Sequence, residues 1–129
     1  MALDDLKKDP MMAHLIATLD SGHSIGHYGR LVFTMVGRHF LEQDELVGYL
    51  CNDPECDDAR ARSLVEQVES RGYNPPKRER ILEWMQKQEF PVCPDTTDPT
   101  QCNVYRNLDF PKEVYERIEQ FHEQRAEAN

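Results

Sequence analysis

Residues 24–40 read SIGHYGRLVFTMVGRHF. Ile25, Tyr28, Val32, Met35, Val36 and His39 fall on one stripe at helical spacing, so the stretch predicts an amphipathic helix from about Ser24 to Phe40. Its opening stands apart from the rest of the chain. Acidic residues outnumber basic ones 24 to 15, for a formal net charge of −9, yet this helix begins with His27, Tyr28 and Arg30 around Gly26 and Gly29 and carries no carboxylate.

The same period governs the segments on either side, and no sustained alternation of β-branched residues appears, so the expected fold is all-α. Upstream, Asp9-Pro10 has the chemistry of a helix start: a side chain that accepts bonds from free amides, then a proline suited to the first turn. That helix runs to Leu19 and stops before Ser21-Gly22. Downstream, Gln43 to Leu50 forms a third helix ending in the turn Asn52-Asp53-Pro54. A fourth starts at Asp57-Asp58, beside the positive end of its own dipole, buries Ala61, Leu64, Val65 and Val68, and closes at Arg71-Gly72. Tyr73-Asn74-Pro75-Pro76 is a turn that no helix crosses. A fifth helix covers Lys77 to Gln88 with Ile81, Trp84 and Met85 inward. Residues 90–110 read as an irregular segment anchored by Phe90, Val92 and Phe110, and a last helix runs from Pro111 to Gln124 with Val114, Ile118 and Phe121 inward. The expectation is one compact domain of about six helices over residues 1–129, with flexible ends at 1–8 and 125–129.

Composition narrows the function. Apolar residues make up 39% of the chain, enough for a core at this length, and no stretch approaches the roughly 20 apolar residues of a membrane span. The first ten residues hold no apolar block of the secretory kind, which points to the cytoplasm. A net charge of −9 excludes a protein that coats nucleic acid with its whole surface and leaves room only for a local basic site. No phosphate loop, nucleophile elbow or Ser/His/Asp arrangement is present, so the chain is not expected to be an enzyme.

Cys51, Cys56, Cys93 and Cys102 could hold zinc or an iron–sulfur cluster, but four and eight intervening residues within the pairs match no tight zinc knuckle. A disulfide within either pair is sterically conceivable but not expected in a reducing compartment, and the bland alternative is unpaired thiols, with Cys51 buried in a helix and the others in loops. His23 and His27 lie one turn apart without the glutamate of a metalloprotease HExxH.

The order of several motifs carries a resemblance. IGHYGR at 25–30, EQDELVGYL at 42–50, NDPECDDARARSLVEQV at 52–68, RGYNPP at 71–76 and FPVCPDTTDPTQCNVY at 90–105 together resemble the C-terminal domain of the large subunit of archaeal and eukaryotic DNA primase. The resemblance spans most of residues 10–106. It implies a helical domain that holds a four-iron cluster on four cysteines and touches the template and the 5′ end of the initiating chain through residues matching His27 and Arg30. Here the cysteine set is incomplete. Cys93 and Cys102 stand where the last two ligands fall, the first would fall near Met11 or Met12, and the second where Lys77 stands. Ser63 and Gln67 replace a tyrosine and a histidine of the family.

The resemblance therefore implies a non-catalytic module without cofactor or metal that binds single-stranded nucleic acid or a 5′-phosphorylated primer end, as an accessory to a catalytic primase-like protein. His27, Arg30, Arg38, Lys77 and Arg78 are its candidate phosphate contacts, with Arg80 extending the basic face. Arginine suits the role because its planar fork donates two bonds to phosphate oxygens. Arg30 could equally pair with one of the many carboxylates. Tyr28 or Tyr73 could stack a base, or pack structurally. Two other readings stay open: a protein-interaction module that keeps the fold without nucleic-acid contacts, and a cysteine-based metal or redox protein in which Cys51 or Cys56 joins Cys93 and Cys102.

Overall fold

The computed structural model describes residues 2–98 and 101–116, and among them every regular element is a helix. Seven have defined bounds: α1 (Ala2–Leu6), α2 (Pro10–Asp20), α3 (Gly26–Gly37), α4 (Gln43–Leu50), α5 (Asp58–Arg71), α6 (Arg78–Met85) and α7 (Val104–Asn107). Residues 112–116 are helical as well. The expected burial of Ile118 and Phe121 lies outside the described residues.

Local chemistry sets most of these bounds. The Asp9 carboxylate accepts the Met12 amide at 2.9 Å, with Pro10 following as the first helical residue of α2. Asp57 accepts the Arg60 amide at 2.8 Å and starts α5. Gly72 ends α5 in the left-handed conformation, φ 62°, where a Cβ would be strained. Two elements were not expected from sequence. Residues 2–6, read as part of a loose end, are helical with Leu6 fully buried, and the segment 90–110 contains the single turn α7.

α3 is the hub and packs against α2, α4, α5 and α6. Its buried face presents Val32, Phe33, Met35 and Val36 to a core that includes Met12, Leu15 and Leu19 from α2, Leu46 and Leu50 from α4, Val65 from α5 and Ile81 from α6. Each such side chain removed from water contributes about 1.5–3 kcal/mol, which is what makes α3 helical despite three glycines. Tyr28 and His39, placed on the inward stripe by spacing, are only half-buried: Tyr28 stacks on Trp84 at 5.7 Å and His39 meets the edge of Phe110 at 5.6 Å.

Candidate nucleic-acid interface

The acid-free start of α3 receives its carboxylates from elsewhere in the chain. Asp53, in the turn after α4, is 1% exposed, and its Oδ2 accepts from the Ile25 amide at 3.0 Å and from Arg30 Nη1 at 2.9 Å. Ser24 Oγ lies 3.0 Å from that oxygen and 2.9 Å from Glu55 Oε2, sharing its single proton between them. Asp53 Oδ1 takes the Glu55 amide at 2.8 Å. Burial pushes the Asp53 carboxyl up, but the amides of Glu55 and Ile25, the Arg30 guanidinium and the Ser24 hydroxyl outweigh it and hold the group below its ordinary value.

A second side chain closes the same helix end. Gln88 Oε1 accepts the Tyr28 amide at 2.9 Å, while its Nε2 donates to the Ile25 carbonyl at 3.1 Å and to the Phe90 carbonyl at 3.3 Å. Gly26, at φ +76°, makes room for this approach, since a Cβ there would stand 2.6 Å from Gln88 Oε1. The amides of Ile25, Gly26 and Tyr28 are thus all satisfied internally, the middle one by Ser24 Oγ at 3.1 Å. Gly26 faces the Gln88 side chain and Gly29 the Ile25 side chain, so neither opens onto a ligand.

Arg30, Arg38 and Arg78 are engaged with partners elsewhere in the protein. Arg30, with only 13% of its side chain exposed, is held by Asp53, so the expected open cation is a structural one. Arg38 Nη2 donates to the Tyr73 carbonyl at 3.1 Å. Arg78 Nη2 and Nε donate to the carbonyls of Thr96 at 2.8 Å and Gln101 at 3.2 Å, pinning the 93–102 segment to α6. The physical reason is common to all three: a guanidinium carries five donors, and a neighbouring carbonyl or carboxylate satisfies them at once.

His27 and Lys77 both line a groove of about 740 Å³ between α3, α5, the Tyr73–Pro76 turn and α6, but the Lys77 ammonium nitrogen is buried and does not open onto it. Its floor is apolar, with Leu31, Met35, Leu64, Pro75 and Pro76. Arg80 stands on the rim with its side chain 62% exposed and 3.7 Å from Glu83, and Glu79 lies beside it. The exposed His27 ring meets Tyr28 edge-on at 5.1 Å, and Tyr28 stacks on Trp84, the groove's large aromatic wall. Gln67 also lines the groove. Tyr105 forms the far side and donates its hydroxyl to the Pro75 carbonyl; burial raises its pKa, so that proton stays in place. Sequence reasoning missed Gln88 and Asp53 as the partners of α3, since both are polar residues in turns with no local pattern to single them out.

The cysteines do not form the four-ligand set that the resemblance implies. Cys93 and Cys102, expected as free thiols, are joined in a disulfide and are 2% and 0% exposed. The positions of the missing ligands hold Met11, Met12 and Lys77, and a thioether or ammonium cannot replace a thiolate on a cluster iron. Cys51 lies exposed at the end of α4, and Cys56 contacts the Asp57 carbonyl in the next turn. Burial raises the pKa of both thiols, which disfavours the thiolate a metal needs. Among the described residues no three His, Cys, Asp or Glu side chains converge as a metal site. The residues present do not fit an iron–sulfur cluster.

Comparison with known proteins gives one relative. The chain is 30% identical over 77 residues to the DNA primase large subunit of Thermoplasma acidophilum, a match that covers 56% of this chain and 23% of that protein. The similarity supports a primase-like relationship and does not single out the iron–sulfur domain. No family model matches the chain, and no solved structure matches it. Among the described residues no helix is long and apolar enough to cross a membrane.

Proposed function

We propose that the groove binds single-stranded nucleic acid or a 5′-phosphorylated primer end, and that the chain is a non-catalytic, primase-large-subunit-like module working beside a catalytic primase-like protein. One observation carries this reading: the exposed His27 from α3 and Arg80 from α6 line one groove beside the Tyr28–Trp84 stack. Cations track phosphates, and an aromatic face accepts any base. The similarity to a DNA primase large subunit points the same way. Arg30 has no phosphate in this scheme; it holds the helix from which His27 projects.

Trp84, the single tryptophan, reports on the groove directly. A 5′-phosphorylated single-stranded oligonucleotide is expected to change its fluorescence, with affinity falling as salt rises. Removing one phosphate contact, by Arg80→Ala, lowers the slope of log affinity against log salt by about 0.7. Absence of binding at low salt overturns the reading.

The second reading rests on the apolar floor and on Glu79 and Glu83 at the rim, which suit a segment of a partner protein carrying apolar and basic side chains. Capture of a catalytic primase-like protein without oligonucleotide binding, lost on Leu31→Asp, favours it.

A further inference from the structure

We propose that the Cys93–Cys102 disulfide is a redox-labile clasp that fixes the far wall of the groove. The two cysteines, nine positions apart in sequence, lie in the core together with Val92 and Val104. The disulfide ties the two ends of this segment to each other, and Arg78, through the carbonyls of Thr96 and Gln101, holds it to α6. α7 follows directly from Cys102. It carries Tyr105, which anchors Pro75 and lines the groove, and Asn107, which donates to Asp9 Oδ1 at 2.9 Å. Holding Cys102 therefore holds α7, and α7 holds the groove wall.

The surroundings accommodate the open form as well. Cys93 Sγ lies 3.4 Å from the Asp95 carbonyl, an acceptor in place for a thiol proton, and a free thiol is otherwise at home among apolar side chains. Pro94, Asp95, Thr96 and Thr97 are exposed, so local opening at this edge admits a reductant to sulfurs that are otherwise covered. A dithiol reductant supplies two electrons and two protons. Its thiolate attacks one sulfur to give a mixed disulfide, its second thiol displaces the protein sulfur, and Cys93 and Cys102 end as thiols while the reductant ends as a disulfide. This inference concerns the segment that replaces a cluster site and does not depend on what the groove binds.

The test uses the wild-type full chain. Thiol titration after unfolding is expected to give two groups, Cys51 and Cys56, before treatment with dithiothreitol and four after it. Reduction of the native protein is expected to lower Tm by roughly 10 °C, the scale for opening a short cross-linked loop, and to shift Trp84 emission, with both restored on reoxidation. The Cys93→Ser/Cys102→Ser double variant should match the reduced protein and ignore dithiothreitol; if it does not fold, the wild-type titration decides alone. Four free thiols in air-exposed protein, stoichiometric iron and sulfide in protein purified without oxygen, or reduction that leaves Tm and Trp84 emission unmoved would each overturn the proposal.

Discussion

His27 and Arg30 sit three residues apart on α3, close enough on a helix to serve one ligand, yet they belong to different regions of the molecule. Arg30 enters a knot with Asp53, Ser24 and Glu55, while His27 opens onto the groove with Arg80. The difference teaches that a cation's place in sequence does not make it surface charge. What decides is whether a carboxylate from another segment reaches it first. In the knot an acid arrives from 23 residues downstream, whereas at the groove Glu83 approaches Arg80 only at 3.7 Å with both side chains mostly exposed. An exposed pair of that kind is worth no more than about 1 kcal/mol and can be traded for a ligand, while a buried pair cannot.

Asp53→Ala is the sharpest way to break that contrast. It leaves the largely covered Arg30 charge with only Glu55, 3.9 Å away and mostly exposed, and strips the Ile25 amide of its acceptor, at a cost of about 3–5 kcal/mol in urea unfolding. Combining it with Arg30→Met should return part of the loss, because the stranded charge goes too. A cost near zero for Asp53→Ala would mean that Arg30 is free at the surface after all and would restore it as a phosphate contact.

Gly26→Ala tests the other half of the knot. At φ +76° a Cβ is strained by about 1–2 kcal/mol, and here it also meets Gln88 at 2.6 Å, which must let go of the Tyr28 amide. Thermal melts should show that loss, and Trp84 emission should move as Tyr28 loosens against it.

The helices were legible because their signals are local. Asp9-Pro10, Asp57 and Gly72 mark ends by chemistry that acts within one turn, and the apolar stripe of α3 fixes its inner face. The fate of the arginines was not, because Arg30 to Asp53, Arg38 to Tyr73 and Arg78 to Thr96 are all contacts between separate segments. Gln88 reaches back 60 residues to Tyr28, and the disulfide joins sulfurs that spacing left open. The groove lay between these cases: the basic and aromatic residues were visible, but only folding selects His27 and Arg80 over Arg30 and Arg38.

Asp53 and Asp9, the two fully buried carboxylates among the described residues, differ in the same way through pH. Asp53 is held below 3.8, so its support is present above that value and is lost as pH falls through its folded pKa. Asp9 goes the other way. Burial raises it above 3.8 against the bonds from Asn107, Met12 and Met11, so its contribution is largest in acid and declines as pH rises through the raised value. Asp9→Asn keeps an equally good helix cap without the charge. Relative to wild type it should gain stability on going from about pH 4 to 7, whereas Asp9→Ala costs about 1 kcal/mol in cap alone. An Asp9→Asn variant that instead loses ground toward neutral pH would place a cation beside Asp9 that these contacts do not include.

The smallest effect on stability belongs to the groove, and that smallness is the prediction. His27 is exposed and caps no helix end among the described residues, so His27→Ala should change the unfolding free energy by less than about 0.5 kcal/mol. Its ring sits on Tyr28, which touches Trp84, so the same substitution should alter Trp84 quenching by a 5′-phosphorylated oligonucleotide. Measured together, the two quantities separate the regions: Asp53→Ala weakens the fold, while His27→Ala weakens binding on an intact one. If His27→Ala destabilises as Asp53→Ala does, the imidazole is part of the knot, and Arg80 remains as the exposed cation of the groove.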